Sequence, residues 1–303
     1  MIPGVLVGHH HRVEPGWATG TTVVLVPDGA VGAVDGRGGA PGTRETDLLD
    51  PANLVQQVHA ICLSGGSAYG LAAADGVMRW LSDRSIGFRV GAEPHHVVPI
   101  VPGAVIFDLP MSEWGNRPDA SFGHAACEAA AAEFELGCVG AGAGARVGSL
   151  KGGVGVSRTT VGAHQVGALA VVNAAGEVVD RASGLPWLPS LGTTAVSLPD
   201  RKPEGLNTTI GVVAVDAELS KAECQRLAMA AQDGLARAVR PAHSMFDGDT
   251  VFALATGAVP LAEPRAFALD ALCAAAADMF AEAVVSGARE ATTLNGVVAF
   301  RDL

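Results

Sequence analysis

The apolar positions of this chain follow two habits: short β-branched runs closed by Gly, Pro or Asn, and alanine-rich stretches with bulky residues every three or four places. The first habit predicts strands at Thr21–Val26, Ala60–Leu63, Ala104–Leu109, Val161–Val172, Ile210–Val215, Val251–Ala255 and Leu294–Phe300. Pro27-Asp28-Gly29 reads as a turn after the first, and Ala174-Ala175-Gly176 as a hairpin turn returning through Glu177–Val179. The second habit predicts helices: Asp50-Pro51 opening a short one to about His59, Ser64-Gly65-Gly66-Ser67 turning into one that reaches Trp80, and Ala120–Leu136 with Phe122, Ala126, Ala129 and Phe134 inward. Ser220-Lys221-Ala222-Glu223 is a capping box that starts a helix to about Val239. A last helix spans Glu263 to about Ala288, with Phe267, Leu269, Leu272, Ala276, Phe280 and Ala283 as its buried face. Strands and helices without regular βαβ alternation predict an α+β layered fold.

Composition narrows the class. With 303 residues and 49% apolar, the chain can bury a substantial core as one domain over 1–303, and no run approaches the ~20 apolar residues of a membrane span. A net charge of −11 with only Lys151, Lys202 and Lys221 argues against nucleic-acid binding. Five scattered cysteines without a C-x-x-C pair predict buried free thiols. The start lacks a basic and then apolar segment, so cytoplasmic is the expected location. His9-His10-His11 is expected in an exposed turn, since adjacent side chains rarely converge on one metal.

Several stretches carry possible chemistry. Leu198–Val215 passes from a Pro- and charge-rich loop into an apolar strand at Thr208. Thr208 is either a polar strand opener or a nucleophile that attacks the Asn207 carbonyl, shifts the acyl group from N to O, and leaves a chain beginning with Thr208, whose α-amine of pKa ~8 is its own base. Ser64-Gly65-Gly66-Ser67 resembles a nucleophile elbow but has Tyr69 where G-x-S-x-G needs glycine. Gly140–Gly153 fits no phosphate-loop pattern. Asn173 is a turn former on local grounds, Lys151 a solvated loop lysine, and Asp247-Gly248-Asp249 a turn or half a calcium loop. His243 is a rival base.

Taken in order, GGAPGTRETDLLDPANLVQQVHAICLSGGSAYGLAAADGV, VPGAVIFDL, GCVGAGAGARVGSLKGG, ALAVVNAAGEV, NTTIGVVAVDA and HSMFDGDTVFALATG resemble the DmpA/NylC family of self-cleaving aminopeptidases, β-aminopeptidases and amide-oligomer hydrolases. The resemblance implies an αββα-type two-sheet sandwich, as in the ornithine acetyltransferases, and cleavage at Asn207-Thr208 into 1–207 and 208–303. It makes Thr208 the nucleophile, Asn173 an oxyanion donor, and Asp247 and Asp249 partners of the nucleophile and its amine. It also implies a small peptide or amide substrate with a free amino end, no cofactor or metal, and a homo-oligomer, tetramer favoured. Relatives often have tyrosine at Phe107, and lysine directly after the glycine matching Gly148, where Ser149 stands; Lys151 is then the candidate supporting lysine. An acyltransferase or a non-catalytic binding protein of the same fold are the rival readings.

Overall fold

A computed structural model of the chain describes residues 1–200 and 206–303. The expected loop over 201–205 lies outside the described residues. Nine strands form one hydrogen-bonded sheet: β1 (Leu6–Glu14), β2 (Trp17–Gly36), β3 (Thr43–Arg44), β4 (Gln57–Ser64), β5 (Gly103–Val105), β6 (Val154–Val161), β7 (His164–Val171), β8 (Ile210–Ala217) and β9 (Thr250–Val259). Their order is β6-β7-β8-β9-β2-β4-β5-β3, with β1 also on β2. All neighbours run antiparallel except β8 with β9 and β4 with β5. Among the described residues the α-helices are α1 (Ala73–Ser82), α2 (Ala120–Glu128), α3 (Lys221–Ala238) and α4 (Arg265–Glu290).

The 20-residue β2 makes two layers out of one sheet. Its first half pairs with β1 and its second with β9, while β4 runs along both. One buried cluster lies between the layers, with Val24, Ile61 and Ile106 facing Leu169, Val212 and Phe252. The outer face of β7, β8 and β9 packs on α3 and α4 through Ala168, Val213, Val251, Leu227 and Phe280. The outer face of the other half packs on α1 and α2 through Val23, Leu25, Val77 and Ala126. The layers are therefore αββα, as the resemblance implied, joined by a shared strand.

Several local expectations fail, each for a tertiary reason. No turn forms at Pro27-Asp28-Gly29; β2 runs through it with a register shift between Leu25 and Ala30 and Gly29 at φ +82°, a bulge that redirects the strand. No helix follows Asp50-Pro51, because the Lys221 ammonium collects the carbonyls of Leu48, Asp50, Asn53 and Val55. The His9-His10-His11 triplet lies inside β1 rather than in a turn. Helix α2 stops at Glu128, since Ala131 leaves to exchange both backbone hydrogen bonds with Val7. The hairpin at 174–176 is absent: β7 is paired on both edges, and Glu177 bonds Arg240 instead. Val154–Val161 is a strand that pattern reading passed over, and 294–300 holds only a single bridge, Leu294 with Val297. Phe267 is exposed, whereas Leu272, Ala276, Phe280 and Ala283 of the same helix are buried.

Candidate active site

The site is built where β8 and β9, neighbours in parallel, both begin. Thr208 and Thr209 precede Ile210, and Asp247, Gly248 and Asp249 precede Thr250, so equal register brings the two entry segments side by side. The pairing extends outward: Thr250 N–H donates to the Thr209 carbonyl (3.1 Å), Gly248 N–H to the Asn207 carbonyl (3.0 Å), and Asn207 N–H to the Phe246 carbonyl (2.9 Å). The end of β7 delivers Asn173, whose carbonyl accepts the Thr208 N–H at 2.5 Å. Asn173, Asp247 and Asp249 thus lie on the segments around Thr208, but Asn173 reaches it through its main-chain carbonyl while its side-chain amide, the expected oxyanion donor, donates to the Phe107 carbonyl.

Thr208 is 4% exposed. Its hydroxyl donates to the Asn207 carbonyl, the group preceding it in the chain, and accepts the Gly248 N–H at 3.2 Å. The glycine is needed for this approach, since a Cβ at Gly248 would lie 2.7 Å from the Ala40 carbonyl and 2.8 Å from Thr208 Oγ1. Gly248 N–H therefore sits on both the Thr208 hydroxyl oxygen and the Asn207 carbonyl oxygen.

The carboxylates do not touch the hydroxyl. Asp249 accepts the Thr209 N–H on Oδ1 (2.8 Å) and His243, through both its backbone N–H and Nδ1 (2.9 Å each), on Oδ2. Asp247 accepts the Ala175 N–H (3.0 Å) on one oxygen and the Ser244 N–H (3.0 Å) and hydroxyl (2.5 Å) on the other. Asp249 thus fixes the backbone that follows Thr208, and Asp247 fixes its own segment against the chain beyond Asn173. His243, the rival base, is committed to Asp249 and takes a left-handed φ of +57°.

Asn173 is clamped by backbone. Its Oδ1 accepts the Arg146 N–H (2.9 Å) and its Nδ2 donates to the Phe107 carbonyl (3.2 Å). The Phe107 position therefore reaches the site through its main chain. Lys151 is fully buried rather than solvated, and its ammonium donates to the carbonyls of Gly142 (3.0 Å), Ala145 (2.8 Å) and Gly152 (2.8 Å). Burial pushes that ammonium down to about 8. Among the described residues none of its hydrogen bonds goes to Thr208; it braces the loop that carries the Arg146 N–H. Ser149, where relatives often have lysine, gives its N–H and hydroxyl to Glu177, which also holds Arg181.

Sequence reading missed the groups that do most of the holding. They are the N–H of Gly248 and the carbonyls of Phe246, Asn173 and Phe107, which leave no side-chain signal. It also passed over Asp108, buried and accepting the Gly66 N–H (2.6 Å) and the Thr19 hydroxyl (2.7 Å), with burial pushing its carboxyl up to about 6. Asp108 steadies the segment whose neighbour, Phe107, orients Asn173. A cavity of about 310 Å³ is lined by Pro110, Met111, Arg146, Ser149, Asn295 and Val298 among others, and it adjoins the Thr208 surroundings through Arg146, whose N–H Asn173 accepts.

The model of peptidase family S58 matches residues 2–300. The chain belongs to peptidase family S58. An uncharacterised aminopeptidase of Mycobacterium tuberculosis is 54% identical, with all of this chain and 96% of that protein covered. A 6-aminohexanoate-oligomer endohydrolase of Kocuria sp. is 34% identical over 86% of this chain and 75% of that protein. In fold, the chain matches the L-aminopeptidase D-Ala-esterase/amidase of Ochrobactrum anthropi, with a TM-score of 0.77 at 20% identity and 98% and 86% of the two chains covered. This S58 member is accordingly an amide-bond hydrolase of aminopeptidase type. Among its described residues no helix is long and apolar enough to cross a membrane.

Proposed function

We propose that this S58 hydrolase cuts itself between Asn207 and Thr208 and then uses Thr208 as an N-terminal nucleophile. The observation that carries the reading is the Thr208 hydroxyl on the Asn207 carbonyl, with the Gly248 N–H against the same carbonyl oxygen. In the uncut chain Oγ1 attacks the Asn207 carbonyl carbon, and the charge that develops on its oxygen meets the Gly248 N–H, a donor of the oxyanion-hole kind. The C–N bond breaks, the proton that Oγ1 loses on attack passes to the Thr208 nitrogen, which becomes an amine, and the acyl group is left as an ester on Oγ1. Water then cleaves the ester and frees the Asn207 carboxylate.

The freed amine of Thr208 keeps the Asn173 carbonyl within reach. With an ordinary pKa of about 8 it accepts the hydroxyl proton when Thr208 attacks a substrate amide, and returns it to the leaving amine. Asp249 ties the 243–249 segment to the strand entry through the Thr209 N–H, and Asp247 ties it to the end of β7 through the Ala175 N–H. Substrates are small peptides or amides with a free amino end, and cleaved protomers assemble as a homo-oligomer, a tetramer by analogy with the resembled family. Intact-mass spectrometry of the purified protein beside Thr208→Ala tests the reading. Two fragments, 1–207 and 208–303, with the variant whole, are expected; a protein that stays whole on long incubation overturns it.

A further inference from the structure

The scissile segment is bound as though it were a ligand. Asn207 pairs with Asp247 as a parallel bridge, giving its N–H to the Phe246 carbonyl (2.9 Å) and its carbonyl to the Gly248 N–H (3.0 Å). The opposite side of the same segment is already occupied. Gly39 N–H donates to the Ser244 carbonyl (3.0 Å), Ala40 N–H to the Asp247 carbonyl (2.9 Å) and Arg37 N–H to the Asp249 carbonyl (3.0 Å). Gly38 permits that close packing, because a Cβ there would lie 2.2 Å from the Asp247 oxygen. The 244–249 segment is thus held from behind by residues 37–40, with one acceptor and one donor turned toward Asn207.

Once Asn207 leaves, that pair has no chain to bind. We infer that the Phe246 carbonyl and the Gly248 N–H form the subsite for the acyl residue of the substrate, and that the Phe246 carbonyl selects acyl groups carrying their amine on the α-carbon. The inference rests on Thr208 being the nucleophile freed by cleavage. Its geometric content is the spacing: in Asn207 one carbon separates the nitrogen on Phe246 from the carbonyl on Gly248, and an α-aminoacyl group repeats it. A β-aminoacyl group inserts one more carbon, and a 6-aminohexanoyl group more still. Either can place its carbonyl on Gly248 or its amine on Phe246, but not both in this register. A des-amino acyl group leaves the Phe246 acceptor unpaired, the kind of loss that strongly penalises an analogue lacking the donor. Phe246 is 61% exposed and Leu206 39%, whereas Gly248 is buried, so the edge is approached from its Phe246 end.

The test uses the purified protein with its mass measured first, then kcat/KM for the L-alanyl, β-alanyl, propionyl and 6-aminohexanoyl p-nitroanilides. The expected result is hydrolysis of the alanyl compound at least about tenfold faster than each of the other three. If the mass shows cleavage at Asn207-Thr208 but the alanyl compound is turned over no faster than the β-alanyl or propionyl one, or not at all, the subsite assignment falls and the nucleophile stands. If the mass shows an uncut chain, the nucleophile reading falls, and the subsite with it.

Discussion

Lys151 offers a stability measurement with a defined sign. Its ammonium is fully buried on three carbonyls, and burial holds its pKa at about 8 against the ordinary 10.5. The unfolded chain therefore keeps this proton more tightly than the native one. Below pH 8 both states are charged and the native state carries the whole desolvation cost. Between 8 and 10.5 the native lysine has released a proton that the unfolded one still holds, so its contribution to stability rises with pH. At about 1.4 kcal/mol for each tenfold in proton affinity, the rise between pH 7 and pH 10 is about 2.5 kcal/mol. The comparison is Lys151→Met, which cannot titrate, in a Thr208→Ala background so that both proteins are single uncut chains. Urea unfolding at pH 7, 8, 9 and 10 gives the two stabilities, and their difference cancels the groups that do not interact with Lys151, leaving Lys151 with its neighbour Cys138. The lysine protein should gain on the methionine protein by about 2.5 kcal/mol across the range. Parallel curves, agreeing within about 0.5 kcal/mol, would show that the ammonium is hydrated and that the carbonyl cage is not closed.

Four further outcomes follow from contacts already described. Gly248→Ala places a methyl against the Ala40 carbonyl and the Thr208 hydroxyl, so the chain should fold but stay uncut by intact mass. Asp108→Ala strands the Gly66 N–H and the Thr19 hydroxyl and should cost about 2–4 kcal/mol in urea unfolding. Asp108→Asn should cost less, and because the native carboxyl lies at about 6, above its ordinary value, it should abolish a component of stability that is present below about pH 4 and lost as pH rises through 6. Ser220→Ala removes the cap of α3 and should lower stability by about 1 kcal/mol, read from the same denaturation curves.

What the sequence disclosed of the fold depended on whether a segment's neighbours agreed with its local preference. Helix α3 was legible in full because its start is a local device, Ser220 and Glu223 capping each other, and its face repeats at helical spacing. The buried strand Ile210–Val215 was legible because both its faces are covered and its run is continuously apolar. The misreadings arose where distant groups decided. The 48–55 segment surrenders its carbonyls to Lys221, more than 160 positions away, and nothing local announces that. Pro27-Asp28-Gly29 has turn composition, yet strand pairing on both sides carries β2 through it as a bulge.

The site divides in the same way. Thr208, Asn173, Asp247 and Asp249 were legible as a set by resemblance, and parallel register between β8 and β9 explains how residues almost forty positions apart meet. Lys151 was half legible: the residue is buried and built in, but it acts on loop carbonyls. The backbone groups were illegible because any residue supplies an N–H and a carbonyl, and only the register decides which two face Asn207. That has a consequence for specificity. If recognition at this edge is made by main chain, substitutions at Met245 and Phe246, whose side chains are 76% and 61% exposed, should leave discrimination between α- and β-aminoacyl amides nearly unchanged. Substitutions that shift the register, such as a side chain at Gly38 driven into the Asp247 carbonyl, should erode it while leaving every site side chain in the sequence. Differences in substrate choice among relatives would then be sought in the 37–40 loop that backs the edge rather than in the side chains around Thr208.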